Sequence, residues 1–180
     1  MFAHVVREGV ELRLMEDRHI EEIYALVERN REHLRTWLPW ADVTNLEYTR
    51  GFIRKALEQF AANDGFHAGI WVDGKYAGAA GFHKIDWTNK KVELGYWLGR
   101  EYEKRGLVTQ ACRCLIAHAF EEWKLNRVEI HCATGNTRSN EVAKRLNFRL
   151  DGTVREGHLL YGQFHDLNIY GMLAREWFIN

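Results

Sequence analysis

One stretch, Lys91 to Trp123, limits the folds open to this chain more than any other. It opens with an apolar run, Val92-Glu93-Leu94-Gly95-Tyr96-Trp97-Leu98-Gly99, which reads as a buried strand. A charged turn follows, Arg100-Glu101-Tyr102-Glu103-Lys104-Arg105-Gly106, and then an amphipathic helix from Leu107 to Trp123. The start of a helix presents N–H groups with no intrahelical partner and the positive end of the helix dipole. A strand feeding a cationic, glycine-containing turn into such a helix start is therefore an anion cradle. The expectation is that this cradle holds a pyrophosphate and that the strand before it holds the rest of a cofactor.

The flanking segments surround that stretch with both kinds of secondary structure. Val10 to Leu14 alternates apolar and charged residues, as a half-buried strand does. Asp17 is placed to cap a helix whose apolar face is Ile20, Ile23, Tyr24, Leu26 and Val27. Trp37 and Trp40 flank the only proline, Pro39, and either plug the edge of the core or wall a substrate pocket. Thr44 or Asn45 caps a second helix, carrying Phe52, Ile53, Ala56, Leu57 and Phe60, and Asn63-Asp64-Gly65 stops it. Strands His67 to Val72 and Lys75 to Ile85 are joined by the hairpin signal Asp73-Gly74. The second is rich in Gly and Ala, so something packs close to it or it bends. Past the central helix, Val128 to Ala133 is a strand expected to run parallel to the one before that helix. A short helix, Asn140 to Leu146, precedes closing antiparallel strands at Phe148 to Val154 and Gln163 to Met172. With no linker or repeat, one mixed α/β domain over residues 1–180 is expected.

Composition excludes several classes. Lys+Arg and Asp+Glu are both 25, so bulk charge gives no case for nucleic acid or an anionic membrane as partner. No apolar run is long enough to span a bilayer, and the first eight residues turn polar too soon for a signal peptide. Three cysteines exclude a complete disulfide framework, and Cys112-x-Cys114 is not zinc spacing, so a reduced, cytoplasmic protein without a metal is expected. Gly-x-Gly-x-x-Gly, a Walker loop, His-Glu-x-x-His and Gly-x-Ser-x-Gly are all absent.

The order of motifs resembles the GCN5-related N-acetyltransferase (GNAT) superfamily, and within it the RimJ/RimL-type branch that acetylates the N-termini of ribosomal proteins. The residues that carry the likeness are Glu93-Leu94-Gly95-Tyr96-Trp97-Leu98, then Glu103-x-x-Gly106-x-x-Thr109, then Asn136-x-x-Ser139-x-x-Val142-Ala143-x-Arg145-x-x-Phe148, and a tail Tyr161-Gly162-Gln163-Phe164-His165-Asp166. The resemblance runs from Val10 to Trp177. It implies a single GNAT-like α/β (α+β) domain, with a mixed, mostly antiparallel sheet, splayed central parallel strands and flanking helices. It also implies acetyl-CoA as acetyl donor, a primary amine as acceptor and a homodimer.

The family's phosphate loop reads Gln/Arg-x-x-Gly-x-Gly/Ala, whereas here Glu103 and Val108 stand at its ends. The cradle works through the backbone N–H groups of Lys104, Arg105, Gly106, Leu107, Val108 and Thr109, which need only Gly106 for close approach. Gly95, Tyr96, Trp97 and Leu98 match the position where the family's strand pairs with the pantetheine arm; the same run also serves as an ordinary core strand. By resemblance Asn136 bonds the pantetheine, Asn140 helps hold it, and Ser139 protonates the departing thiolate; a plain helix cap accounts for Asn136 and Ser139 equally well.

An amine must be neutral to attack a thioester. An N-terminal amine, with a pKa of roughly 7.7–8.0 against about 10.4 for Lys, needs only a modest base. Backbone N–H groups near Leu94 to Trp97 are the candidates for stabilising the oxyanion. Glu93 and His158 are the rival bases; a cross-strand ion pair with Lys75 or Lys84 is the structural alternative for Glu93, and a loop-end surface position that for His158. Asp166 reads as a turn-binding residue beside a half-buried His165, His83 as a core histidine ahead of one that faces the pocket, and Cys132 as a buried thiol rather than a nucleophile. The acceptor stays open between a protein N-terminus, a small amine such as a polyamine or antibiotic, and a lysine side chain, with a non-catalytic acyl-CoA-binding module as the other class.

Overall fold

The computed structural model describes residues 3–178; Met1 and Phe2, part of the segment read as too polar for a signal, lie outside the described residues. The described residues form two compact units, one within residues 1–81 and 96–111, the other within residues 82–95 and 112–180.

In the first unit, Ala3–Arg7 (β1) and Val10–Leu14 (β2) form an antiparallel hairpin. β2 pairs with His67–Val72 (β3), and β3 with Lys75–Phe82 (β4), both antiparallel. Asp73 and Gly74 both take positive φ, 49° and 77°, as a two-residue hairpin turn requires. The return strand ends at Phe82, short of the expected Ile85. Its small residues have the expected cause, because a Cβ on Gly78 would lie 2.3 Å from the Trp97 carbonyl oxygen. That approach lets the Gly99 N–H donate to the Ala77 carbonyl at 2.8 Å.

The helices of this unit begin after a 3-10 turn, Asp17–His19. Asp17 lies inside that turn; Glu16 precedes it as the capping residue, and its N–H donates to His19 Nδ1 at 3.1 Å. Ile20–Arg29 (α1) follows, then Arg31–Leu34 (α2), Trp40–Val43 (α3) and Leu46–Ala61 (α4). Asn45, not Thr44, caps α4, accepting from the Tyr48 N–H at 2.8 Å. α1 buries Ile20, Ile23 and Leu26 against Met15, Ile53, Trp71 and Tyr76. Trp71 is 1% exposed, and truncating such a side chain to Ala costs about 3–5 kcal/mol. Trp40 joins Val27, Leu34, Leu38 and Ala41 and meets the Trp97 ring at 5.5 Å, so it seals the core edge.

Lys91–Leu98 (β5) and Leu107–Ala117 (α5) each straddle the division. The long helix expected up to Trp123 changes character: a π turn, His118–Glu122, follows α5 and is closed by the Trp123 N–H on the His118 carbonyl. In the second unit, β5 runs parallel to Arg127–Ala133 (β6), in the register Lys91↔Arg127 to Glu93↔Glu129. β6 pairs antiparallel with Gln163–Leu173 (β8), and β8 with Arg149–Leu160 (β7). The described ladders are thus antiparallel except β5 with β6, the mixed pattern expected. Thr137–Arg145 (α6) starts three residues before the expected Asn140, and Ala174–Trp177 (α7) closes the chain. β7 runs six residues past the expected Val154, with a bulge where Glu156 takes φ 52° and its N–H meets Asp166 Oδ1 at 2.9 Å. No helix among the described residues is long and apolar enough to cross a membrane.

Candidate active site

The loop between β5 and α5 lies in the first unit. Lys104 and Gly106 take φ 60° and 72°, and a Cβ on Gly106 would meet nothing within 4 Å. The first intrahelical bond of α5 runs from the Gln110 N–H to the Gly106 carbonyl at 3.0 Å. The N–H groups of Leu107, Val108 and Thr109 therefore precede the helical ladder and are available to an anion. Leu107, 1% exposed, anchors the helix start in the core. Lys104 and Arg105 are exposed beside it. An open backbone turn with two cations fits a pyrophosphate.

The unusual Glu103 has a partner. His33 of α2 places Nε2 2.9 Å from Glu103 Oε1, with both side chains about four-fifths buried. Asn30, 5% exposed, secures the same loop one step earlier: its side-chain amide donates to Glu101 Oε2 at 3.0 Å, and its oxygen accepts the Arg100 N–H at 2.8 Å. The carboxylates of a loop read as a phosphate site are thus engaged by α1 and α2. Tyr96, Trp97 and Leu98 run along β4, and Trp97 packs its ring at 5.9 Å from Tyr76.

In the second unit, Asn136 is the N-cap of α6, its side chain accepting from the Ser139 N–H at 3.3 Å. Ser139 also hydrogen-bonds the Cys132 thiol. Asn140 is 6% exposed and engages fully within the fold. Its nitrogen donates to the carbonyls of Ala133 (3.0 Å) and Asn136 (2.8 Å); its oxygen accepts from Asn168 (2.7 Å) and the Tyr170 hydroxyl (2.9 Å). A side-chain amide has two donors and two acceptor positions, so nothing remains for a ligand. Asn140 is thus a strut beneath Asn136 and Ser139. Thr153 supports the same network by donating to Asn168 at 2.7 Å.

Glu93 faces neither Lys75 nor Lys84 among the described contacts. Its carboxylate lies 3.4 Å from His131 Nδ1 and 3.8 Å from His83 Nδ1. His131 Nε2 lies 2.9 Å from Glu129, which also receives Arg127 Nε at 2.7 Å and Lys91 Nζ at 3.8 Å. Burial raises the Glu129 carboxyl pKa, but the bonds from Arg127 and His131 and the Lys91 charge outweigh it and hold it below the usual carboxylate range. His83 is not a core histidine: its side chain is 52% exposed, and its ring fills the space that a side chain at Gly95 would take. His131 and Glu129 escaped the reading of the sequence because Val128 to Ala133 looks like any half-buried strand; only the parallel register sets Glu129 opposite Glu93.

His158 sits within β7, not at a loop end, and pairs with His165 of β8. Among the described contacts it meets neither Glu93 nor Ser139. His165 is half-buried, and Asp166 binds the bulge as described. Burial pushes the Cys132 thiol up, opposed by its bond with Ser139, which disfavours a thiolate nucleophile. Among the described residues no group of three or more His, Cys, Asp or Glu is arranged to hold a metal ion.

The chain has relatives among known proteins. Residues 10–149 match the family model described as an acetyltransferase (GNAT) domain, and the chain belongs to that family and is an acyltransferase of its type. The putative ribosomal N-acetyltransferase YdaF of Bacillus subtilis is 38% identical, over 98% of each chain. The ribosomal-protein-serine acetyltransferase of Escherichia coli is 29% identical over 93% of this chain and 94% of its own. Among solved structures, a probable acetyltransferase superposes with a TM-score of 0.93 at 38% identity, covering 98% of this chain and 99% of that one. RimL, a ribosomal-protein α-N-acetyltransferase in complex with coenzyme A, superposes at 0.92 with 28% identity, covering 97% and 99%. The microcin self-immunity acetyltransferase MccE, in complex with acetyl-CoA and AMP, superposes at 0.90 with 29% identity, covering 93% and 94%.

Proposed function

We propose that this chain is an acetyl-CoA-dependent N-acetyltransferase that moves the acetyl group to the N-terminal α-amine of a protein, a ribosomal protein first among the candidates. The transfer is direct, within a ternary complex. The observation that carries the reading is the loop at Gly106, whose open positive-φ turn leaves the N–H groups of Leu107, Val108 and Thr109 ahead of the helical ladder. The names of the ribosomal relatives support the acceptor class. The same proposal takes residues 1–180 as one catalytic domain acting in the cytoplasm as a homodimer, the dimer by resemblance alone.

When bound, acetyl-CoA supplies a thioester already activated towards amines. The chain's residues do the rest. Lys104, Arg105 and the N–H groups from Gly106 to Thr109 hold the pyrophosphate. Backbone of Gly95 to Leu98 pairs with the amide-rich arm, and N–H groups near Leu94 to Trp97 bind the oxygen that gains charge during attack. Asn136 bonds the arm, while Asn140 fixes its position from below. Glu93 accepts the amine proton through a water, and the Ser139 hydroxyl donates to the departing thiolate. Glu93 is preferred to His158 because it lies on the strand assigned to the cofactor, and the described contacts of His158 stay within the hairpin.

The pH–rate profile of acetyl transfer tests the assignment. Glu93→Gln is expected to lose at least about a hundredfold in kcat and the acid limb of the profile, while His158→Ala keeps both. Retention of the limb in Glu93→Gln overturns the choice of base. The likeness to MccE favours one other acceptor class, a small-molecule amine, which an acceptor screen separates from a peptide.

A further inference from the structure

The parallel register places two carboxylates opposite each other, Glu93 on β5 and Glu129 on β6. Like charges directly across a strand pair repel and destabilise it. Glu129 is the inner one, 13% exposed in its side chain against 32% for Glu93. Its depressed titration, won by Arg127, His131 and Lys91 over burial, makes it a fixed anion at neutral pH. Glu93 therefore faces a standing negative charge. A like charge nearby disfavours the ionised form of a carboxyl, and a protonated carboxyl is no base.

His131 stands between them. It lies two residues after Glu129 on the same strand, so both project from one face of the sheet. Nδ1 is 3.4 Å from Glu93 Oε2 and Nε2 is 2.9 Å from Glu129 Oε2. A neutral imidazole has one N–H and one lone pair, and the lone pair would point at a carboxylate oxygen. A ring carrying N–H on both nitrogens has no lone pair to set against either carboxylate. Among the described contacts of this pair, Arg127 and Lys91 reach Glu129, Arg127 also reaches Asp151, and His83 is 3.8 Å from Glu93. Neither Arg127 nor Lys91 has a described contact with Glu93, so His131 is the group that couples the two carboxylates.

We propose that His131 is a positioning residue for Glu93: bridging Glu93 and Glu129, it holds a proton between them and thereby keeps Glu93 ionised and able to accept the proton of the attacking amine. This rests on the reading of Glu93 as the base. No bond to carbon changes at His131; the proton taken from the amine goes to Glu93, and the His131 proton stays in place through the transfer.

The test compares kcat for transfer from acetyl-CoA to a peptide with a free N-terminus, at pH 6 and pH 8.5, in wild type, His131→Gln and the double variant Glu129→Gln/His131→Gln. His131→Gln is expected to lose about tenfold at pH 6 and less than about twofold at pH 8.5, with KM for acetyl-CoA unchanged. Removing Glu129 as well removes the repulsion, so the double variant recovers most of the loss at pH 6. An equal loss at both pH values, no loss at either, or no recovery in the double variant overturns the proposal. Carbon-13 NMR of the Glu93 carboxyl in the substrate-free protein gives a second readout independent of turnover. An upward move of its titration in His131→Gln supports the coupling, and an unmoved titration overturns it. If the titration moves while Glu93→Gln stays fully active, the assignment of Glu93 as base fails and the coupling stands.

Discussion

Replacing Asn140 by Ala separates a structural strut from a cofactor contact. Asn140 is 6% exposed and its partner Tyr170 is 3% exposed. The substitution removes all four hydrogen bonds of its amide at once. Of the groups left behind, the Ala133 carbonyl keeps the Asn136 N–H at 2.9 Å, whereas the Tyr170 hydroxyl loses a buried bond. A buried group stripped of its partner costs about 1–3 kcal/mol, so a loss of about 1–3 kcal/mol is expected. For a chain of this size each kcal/mol lowers Tm by about 2–4 °C, so the melting point should fall by roughly 2–12 °C. Asn140→Asp is no rescue, because it turns an acceptor towards the carbonyls of Ala133 and Asn136. The assay is calorimetric melting without ligand, paired with CoA titration at a temperature where the variant is folded. CoA affinity should change by less than about threefold, since the amide has nothing left to offer a ligand. A variant that melts like wild type but no longer binds CoA would refute the reasoning.

Three other outcomes follow from the same geometry. Gly106→Pro, which forces φ to about −65° where the structure has 72°, should abolish measurable CoA binding by calorimetry, whereas Gly106→Ala meets open space and should weaken it by about tenfold or less. Cys132→Ala should retain acetyl transfer within about threefold, because burial disfavours its thiolate and the proposed transfer is direct. Burial, followed by the Arg18 charge, lowers the proton affinity of His19, so the unfolded chain binds that proton more readily than the folded one. Stability is therefore full above the ordinary imidazole range and falls as pH drops through it; melting of wild type and His19→Gln from pH 8 to pH 5 should show a shallower slope in the variant.

Signals that act over a few residues were legible in the sequence. Asp73-Gly74 encodes its turn by backbone preference, Asn45 caps through a bond three residues away, and the apolar spacing of α1 meets its core as expected. The positive-φ turn at Gly106 was legible for the same reason. Most of what failed depended on distant partners. Glu16 displaces Asp17 as the capping residue because the chain enters the helix through a 3-10 turn. The extension of β7 to Leu160 had no apolar signature, since Val154 and Leu159 are 50% and 58% exposed; its bulge is held by Asp166 from the next strand. Glu103 looked like a defect in a phosphate loop until α2 placed His33 against it. The Glu93–His131–Glu129 bridge exists only in the parallel register of β5 and β6, which alternation along either strand does not specify.

The most direct measurement is thiol release on mixing the purified chain with acetyl-CoA and a panel of acceptors: peptides with free Ser, Ala or Met N-termini, the same peptides blocked at the N-terminus, and small polyamines. Thiol release is expected with the free peptides, with mass spectrometry placing one acetyl group on the α-amine, and none with the blocked ones. CoA bound in the titration but no thiol released with any amine would contradict the proposed transfer.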